Sequence, residues 1–353
     1  MSSVITGIGS YIPKVIIKNK AFINEDFYTD KNEAIQTSND IIIEKFKAIT
    51  GIEERRYADN NLNSSDLATR AAQKAITDAG IDIEELDYII LAQNFGDVTK
   101  KGGQSDFLPS LASRVKHNLR IKNSNCVGYD IIFGCPGWIQ GLIQADTYIK
   151  AGLAKKCLII GSETLSRVVD KYDRDSMIYS DGAGACILEA KENATSGILS
   201  HATATHTYDE AHFLFFGKSN NPEAEQNTRY IKMFGRKIYE FALNNVPLAM
   251  KSALDKSNIN IKDLKKIFIH QANEKMDEAI VARFYKLFGL AMPKHVMPMS
   301  IKKLGNSSVA TIPTLLDLVR NNKIEHQQIS KGDIIMFASV GAGMNINAVV
   351  YKY

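Results

Sequence analysis

The sequence predicts an α/β protein made of two copies of one mixed-sheet unit, and three observations lead there. A passage of the first half returns in the second without gaps. Ala75 pairs with Ala253, Ile81 with Ile259, Ile83 with Ile261, Leu86 with Leu264, Ile89 with Ile267 and Gln93 with Gln271, at a constant offset of 178 residues (271 less 93). Two apolar, strand-like runs, 156–161 and 333–338, lie at nearly the same separation. Each is followed by a glycine-rich turn and another apolar run, 181–188 in the first half and 341–350 in the second. The composition is that of an ordinary globular chain, 45% hydrophobic and 23% charged over 353 residues, long enough to bury a sizeable core. Self-similarity of this kind is read before any single motif, and it divides the chain into halves 1–190 and 191–353.

In chain order, Val4 to Gly9 reads as a first strand closing in a glycine turn at Ser10 to Pro13, and the region up to Glu54 reads as helical and loop-rich. Ser64, Ser65 and Asp66 suit the cap of a helix running to Asp78 and stopped by Gly80. Ile81 to Leu86 is a short connection into a buried strand that ends near Asn94. Tyr129 to Phe133 is an apolar run that turns at Gly134 and delivers Cys135 to a helix start. Pro136 suits the first turn of that helix, and Trp138, Ile139, Leu142, Ile143 and Tyr148 recur at helical spacing up to Lys150. In the second half Gly305-Asn306 occupies the comparable place before another helix-like stretch, so Cys135 and Asn306 read as equivalent positions at two helix starts. His270 falls where the first copy has Ala92.

The side chains that break the repeat are the reactive ones. A thiol at a helix start meets unpaired N–H groups and the positive end of the helix dipole, which favour thiolate. Cys135 is thus a candidate nucleophile, His270 a candidate partner for it, and Asn306 a neutral donor toward a developing oxyanion. Each has a plainer explanation: a packed free cysteine, a satisfied core histidine, a helix cap followed by Ser307 and Ser308. Their coincidence with the duplication favours chemistry. The four cysteines form no C-x-x-C pair, which argues against a zinc site or a disulfide framework. A formal net charge of +4 is too weak to argue for nucleic acid and suits an acidic partner on a local patch. No apolar run is long enough to span a bilayer and no signal-peptide pattern opens the chain, so a cytoplasmic location is expected.

A resemblance follows from these residues. Gly51 to Arg56, Ser65 to Ala68, Gly161-Ser162-Glu163, Arg167, Asp173-Arg174, Asp181 to Ala185, Met233 with Gly235-Arg236, His270-Gln271-Ala272-Asn273 and Gly305-Asn306-Ser307 occur in order over nearly the whole chain. In this it resembles the β-ketoacyl-acyl-carrier-protein synthase III family of the thiolase superfamily. The resemblance implies a thiolase-like αβαβα fold, a homodimer and a Cys135, His270, Asn306 site without metal or other cofactor. It implies a decarboxylative Claisen condensation of an acyl group on Cys135 with malonyl-acyl carrier protein, as in fatty-acid initiation. A second oxyanion hole would use the N–H of Cys135 and one from Gly341 to Gly343, with Asn273 orienting the site. Arg174 matches a coenzyme A contact, and Lys275 and Arg283 match positions that dock acyl carrier protein, a patch that Lys265, Lys266 and Lys286 would extend.

Some positions depart from the family pattern. Lys45 stands where the family places a tryptophan that stacks on adenine, which leaves open whether the starter arrives on coenzyme A or on carrier protein. Phe133 and Trp138 flank the cysteine where small residues are usual, and either reshape the acyl tunnel or belong to the core, the latter being favoured. The loop Lys100 to Pro109 is placed to cover the tunnel mouth or a dimer partner's site. Gly341 to Asn345 looks closer to relatives that join longer chains, so a specialised lipid or resorcinol-type ketosynthase is the nearest rival. A papain-like hydrolase lacks its local signature here, and a non-catalytic partner subunit has no need of all three reactive residues.

Overall fold

The computed structural model describes residues 2–99 and 103–353, so Lys100, Lys101 and Gly102 of the loop expected at the tunnel mouth lie outside the described residues. The chain opens with β1 (Ser2–Tyr11), β2 (Val15–Lys18), α1 (Asn39–Thr50), β3 (Glu54–Tyr57), α2 (Ser64–Ala79) and β4 (Tyr88–Ala92). A small hairpin, β5 (Asp97–Val98) with β6 (Ser105–Asp106), precedes α3 (Leu111–Asn118), β7 (Val127–Ile131), α4 (Gly137–Lys150), β8 (Lys156–Thr164) and β9 (Asp181–Lys191). The second half runs β10 (Gly197–Thr205), β11 (Leu214–Gly217), β12 (Tyr230–Met233), α5 (Gly235–Ser257), β13 (Leu264–Ile269), α6 (Glu274–Lys286), α7 (Ile301–Leu304), α8 (Thr311–Arg320), β14 (Ile334–Gly341) and β15 (Asn345–Lys352).

The two large sheets have the orders β1-β9-β8-β4-β7 and β10-β15-β14-β13. The repeat is carried into the hydrogen-bond register. Ile89 of β4 faces Leu158 of β8 in parallel, and Ile267 of β13 faces Met336 of β14, each partner 178 residues on (267 less 89, 336 less 158). Helices α2 and α3 cover the outer face of the first sheet and α5 that of the second, while α4 and α8 touch strands of both. The result is five layers, αβαβα, as the sequence led us to expect.

The middle layer is why the halves share one core. Trp138, Leu142, Leu315 and Leu316 from the central helices pack with Ile5 and Ile90 of one sheet and Phe268, Phe337 and Tyr351 of the other. Burial of each such side chain contributes about 1.5–3 kcal/mol. The Ile5 N–H donates to the Tyr351 hydroxyl at 2.8 Å, a bond from one sheet to the other. Trp138 lies in this core with its ring edge-on to Phe337, and Phe133 packs against the same cluster.

Several local expectations need correction. β1 includes Gly7 and Gly9 as expected but runs on to Tyr11, into the turn expected at Ser10 to Pro13, with a register shift between Ile5 and Gly7. These glycines serve packing: a Cβ on Gly7 would stand 2.2 Å from the Ala75 carbonyl oxygen of α2. The α2 N-cap is Asn63, whose N–H donates to the Asp66 carboxylate at 2.8 Å, not Ser64 or Ser65. The second sheet has no counterpart of β7. The chain near Val296 fills that edge, its carbonyl accepting from Ile267 N–H at 2.8 Å, and Gln271 holds it there through Pro298 O, Ser300 N–H and Ile301 N–H. Cys135 and Asn306 are therefore not strict equivalents: Cys135 directly precedes the α4 N-cap, whereas a short 3-10 turn, Ser308–Ala310, separates Asn306 from α8.

Gly161 of β8 marks where the central layer touches the first sheet most closely, since a Cβ there would stand 2.2 Å from the Val309 carbonyl oxygen. Backbone on both sides cannot yield as a flexible side chain can. Gly161→Ala is expected to destabilise the protein by about 1–3 kcal/mol, read as a lower urea midpoint at unchanged slope; an unchanged midpoint would contradict this packing.

Candidate active site

The turn after β7 is built for close approach. Gly134 takes φ +64°, a conformation open to glycine, and its N–H donates to Asn94 Oδ1 at 3.1 Å. A Cβ on Gly134 would lie 2.6 Å from the Ala342 nitrogen, and one on Gly341 would lie 2.3 Å from the Cys135 nitrogen. The β14–β15 turn of the second half thus lies backbone to backbone on the cysteine turn of the first. Of the three residues expected to offer a donor, Ala342 lines the cavity beside Cys135. Gly341 supplies the contact, and Gly343, at φ +74°, faces Asn345.

Ser308 connects the cysteine with the asparagine. Its hydroxyl donates to Cys135 Sγ at 3.3 Å, and its N–H donates to Asn306 Oδ1 at 2.8 Å. It holds φ +52°, an uncommon conformation for a residue with a side chain. Asn94 Nδ2 donates to Ser308 Oγ at 3.3 Å and to Glu163 Oε1 at 2.5 Å, which extends the network to a buried carboxyl. Burial pushes that carboxyl up to about 8. Burial likewise pushes the Cys135 thiol up to about 11, against the lowering effect of the Ser308 hydrogen bond and with a further push from Glu163. Burial thus works against the thiolate expected from the helix start and favours the thiol near pH 7.

His270 follows β13, buried, with its N–H donating to Ala338 O at 2.9 Å. Its ring Nδ1 has no hydrogen-bond partner among the described residues, so it is not a satisfied core histidine. Burial lowers its pKa to about 4, which keeps the imidazole neutral near pH 7. Asn306 is fixed by its main chain, its N–H donating to Ile178 O at 2.9 Å and its carbonyl accepting from Ser180 N–H at 2.8 Å. Because Oδ1 already accepts from Ser308, the amide NH2 is the end left to donate. Gly305 before it, at φ +62°, rests on buried Arg55, whose guanidinium donates to Met177 O, Ile17 O and Asn19 Oδ1.

Two cavities meet here. An outer one of about 470 Å³ is lined by Lys45, Phe46, Arg174, Asp175, Arg236, Asn273 and Asn306, among others. An inner one of about 210 Å³ is lined by Cys135, Ser308, Asn94 and Ala342 with an apolar wall of Phe95, Ile132, Leu165, Leu214, Phe215, Phe216 and Ile231. Lys45 and Arg174 thus line one cavity. His270 lines neither cavity. Asn273 lines the outer one and caps α6, its Oδ1 accepting from Met276 N–H at 3.1 Å. Lys275 and Arg283 lie exposed on α6 outside both cavities, and Arg283 donates to Leu243 O and Asn244 Oδ1. Lys266 is buried, donating to His295 O and Gln327 Oε1, and with Lys265 it sits at the far end of β13 from His270. Burial removes Lys266 from any docking patch, whereas Lys265 is exposed. Phe133 and Trp138 line neither cavity, in keeping with their place in the core.

Sequence reasoning missed Asn94, Glu163 and Ser308 as parts of the site. Ser308 was visible only as a residue after a presumed helix cap, and Asn94 only as the end of the repeat. The high thiol pKa has a direct consequence. The rate of Cys135 alkylation by iodoacetamide should rise steadily, close to tenfold per pH unit, from pH 7 to 9 as the thiolate fraction grows; a plateau below pH 8 would contradict a buried neutral thiol.

Comparison with known proteins agrees with this geometry. The family description "3-Oxoacyl-[acyl-carrier-protein (ACP)] synthase III" matches residues 129–207, and that of the family's C-terminal region matches residues 254–353. The β-ketoacyl-[acyl-carrier-protein] synthase III of Ruegeria pomeroyi is 32% identical over 99% of both chains. That of Ehrlichia canis is 32% identical over 97% of this chain and 96% of its own. Among solved structures, the 3-oxoacyl-[acyl-carrier-protein] synthase III of Aquifex aeolicus superposes with a TM-score of 0.81 at 30% identity, covering 99% of this chain and 100% of that one. Cysteine turn, flanking asparagine and five-layered duplicated fold thus coincide with full-length similarity, and the chain belongs to the β-ketoacyl-acyl-carrier-protein synthase III family.

Proposed function

We propose that this protein is an acyltransferase that condenses an acyl thioester with malonyl-acyl carrier protein to give a β-ketoacyl-acyl carrier protein, the initiating step of fatty-acid synthesis. The observation that carries the reading is the Cys135–Ser308–Asn306 connection, which sets a half-buried thiol and an amide donor on two cavities that share a wall at Tyr179.

In the first step Cys135 Sγ attacks the acyl thioester carbonyl. The carrier's C–S bond breaks, and the thiol proton leaves with the departing carrier sulfur. The backbone N–H groups of Cys135 and Ala342 are the donors for the transient oxyanion. Malonyl-acyl carrier protein then places its thioester carbonyl at His270 and Asn306. Loss of carbon dioxide leaves the C–C bonding pair as an enolate, with negative charge on that oxygen. Neutral donors serve this step, because charge develops where no proton needs to be removed; a neutral imidazole and an amide NH2 are both of that kind. The enolate carbon attacks the acyl-Cys135 carbonyl, the new C–C bond forms, and the thiolate leaves and takes a proton. Asn273 orients the outer cavity's wall.

Lys45, Arg174 and Arg236 give the outer cavity a cationic lining suited to the phosphate of a carrier arm. Lys45 offers no flat face for adenine, so delivery by carrier protein is favoured over coenzyme A, which stays possible. Exposed Lys275 and Arg283 dock the acidic carrier protein. β7 is an edge of the first sheet, with Val127 and Ile132 exposed near it, and a second copy of the chain pairing there makes the homodimer. The halves 1–190 and 191–353 supply nucleophile and donors respectively. Among the described residues no helix is long and apolar enough to cross a membrane, in keeping with work in the cytoplasm; nucleic acid has no part in this chemistry.

Two variants test the assignment by intact-protein mass spectrometry with acyl donors and then malonyl-acyl carrier protein. Cys135→Ala should take no acyl adduct. Asn306→Ala should load normally yet condense about 10²–10³-fold more slowly. Condensation at the wild-type rate in the asparagine variant would sink its role.

A further inference from the structure

Cys135 and Asn306 open onto different spaces, the first onto the inner cavity and the second onto the outer. Among the described residues Tyr179 alone lines both. Its position is not accidental. Tyr179 forms a backbone bridge with Asn306, between the Ile178 carbonyl that receives the Asn306 N–H and the Ser180 N–H that donates to the Asn306 carbonyl. From that strip its ring, buried to all but 7% of the residue surface, extends toward the β11–β12 hairpin. There the hydroxyl meets Met233 Sδ at 3.8 Å. Met233 lines the outer cavity, and its cross-strand partner Leu214 lines the inner one. One aromatic side chain therefore spans the gap between the strip and the hairpin.

The condensation needs both sides of this wall at once. The acyl chain on Cys135 occupies the apolar inner cavity, while the malonyl thioester sits with Asn306 in the outer one, and the new C–C bond forms between them. For an acyl group delivered from the Asn306 cavity, the Tyr179 ring stands on the way to sulfur, since it is the residue that lines both spaces. A thioether is a weak acceptor, so the hydroxyl contact is a light latch on the ring. We propose that Tyr179 is a movable partition between carrier-arm channel and acyl pocket, a specificity-determining residue that admits straight acyl chains and retards groups branched beside the carbonyl. An unbranched chain slides past a ring edge, whereas a branch needs the ring displaced further. The inference rests on the reading that Cys135 carries the acyl group.

The test compares wild-type protein with Tyr179→Ala, Tyr179→Leu and Tyr179→Phe. Loading of Cys135 is followed by intact mass with a straight-chain and an α-branched acyl-coenzyme A of equal carbon number. In the alanine and leucine variants the branched-to-straight ratio of loading rates should rise about tenfold, while the phenylalanine variant, which keeps the ring, should stay at the wild-type ratio. A ratio unchanged in a folded alanine or leucine variant overturns the proposal. A second pair of probes, N-ethylmaleimide and N-cyclohexylmaleimide, labels the thiol without acyl transfer. If wild-type protein takes no acyl donor, the condensing-enzyme reading fails, and the maleimide ratio alone decides whether the partition exists: a rise for the bulkier reagent in the alanine variant supports it, and no change refutes it.

Discussion

The contact between the Gly134–Cys135 turn and the Gly341–Ala342 turn is the constraint on which the site depends. It brings the two halves together with no side chain between them, at distances where a Cβ on either glycine would overlap backbone nitrogen. Everything on the nucleophile's side follows from the strand-to-turn geometry after β7. On the other side, β13 and β14, paired in parallel, lead to His270 and Gly341, while the strip at Ile178 to Ser180 fixes Asn306. A duplicated fold offers two such sheet ends, and stacking them across α4 and α8 makes one site from two halves.

A dry interface of this kind sets the electrostatics. Burial drives Cys135 toward the thiol and His270 toward the neutral imidazole, so both groups favour the uncharged form near pH 7. The structure answers with hydrogen bonds: Ser308 on the sulfur, Asn94 on Ser308 and on the Glu163 carboxyl, and a spare amide NH2 on Asn306. Such an arrangement favours a reaction in which charge appears transiently on thioester oxygens and is met by fixed dipoles. The same preference would serve poorly for a hydrolase that relies on a standing thiolate–imidazolium pair.

Much of this was legible in the chain itself. The repeat at 178 residues marked the corresponding strands of the two halves, and these keep the same register against their neighbours because buried positions of a repeated unit keep the same surroundings. Cys135, His270 and Asn306 stood out because they interrupt that repeat. What stayed hidden depended on contacts between segments far apart in sequence. The use of Gly7 and Gly9, close passage under α2, shows only once the helix is in place. A helix start is legible in the local sequence, whereas the burial that raises the Cys135 pKa depends on the folded surroundings. Ser308 and Asn94 carried no periodicity or motif to mark them, and Lys266 read as surface because its partners, His295 and Gln327, come from later loops.

The central claim is that a nucleophile from one half and donors from the other act on a single pair of thioesters. A single turnover measures this most directly: wild-type protein acylated on Cys135, freed of excess donor and mixed with malonyl-acyl carrier protein carrying a labelled free carboxyl. The account predicts loss of the acyl adduct in step with release of one labelled carbon dioxide and formation of one β-ketoacyl-acyl carrier protein. Discharge of the adduct to free acid, or carbon dioxide released without the new C–C bond, would contradict it.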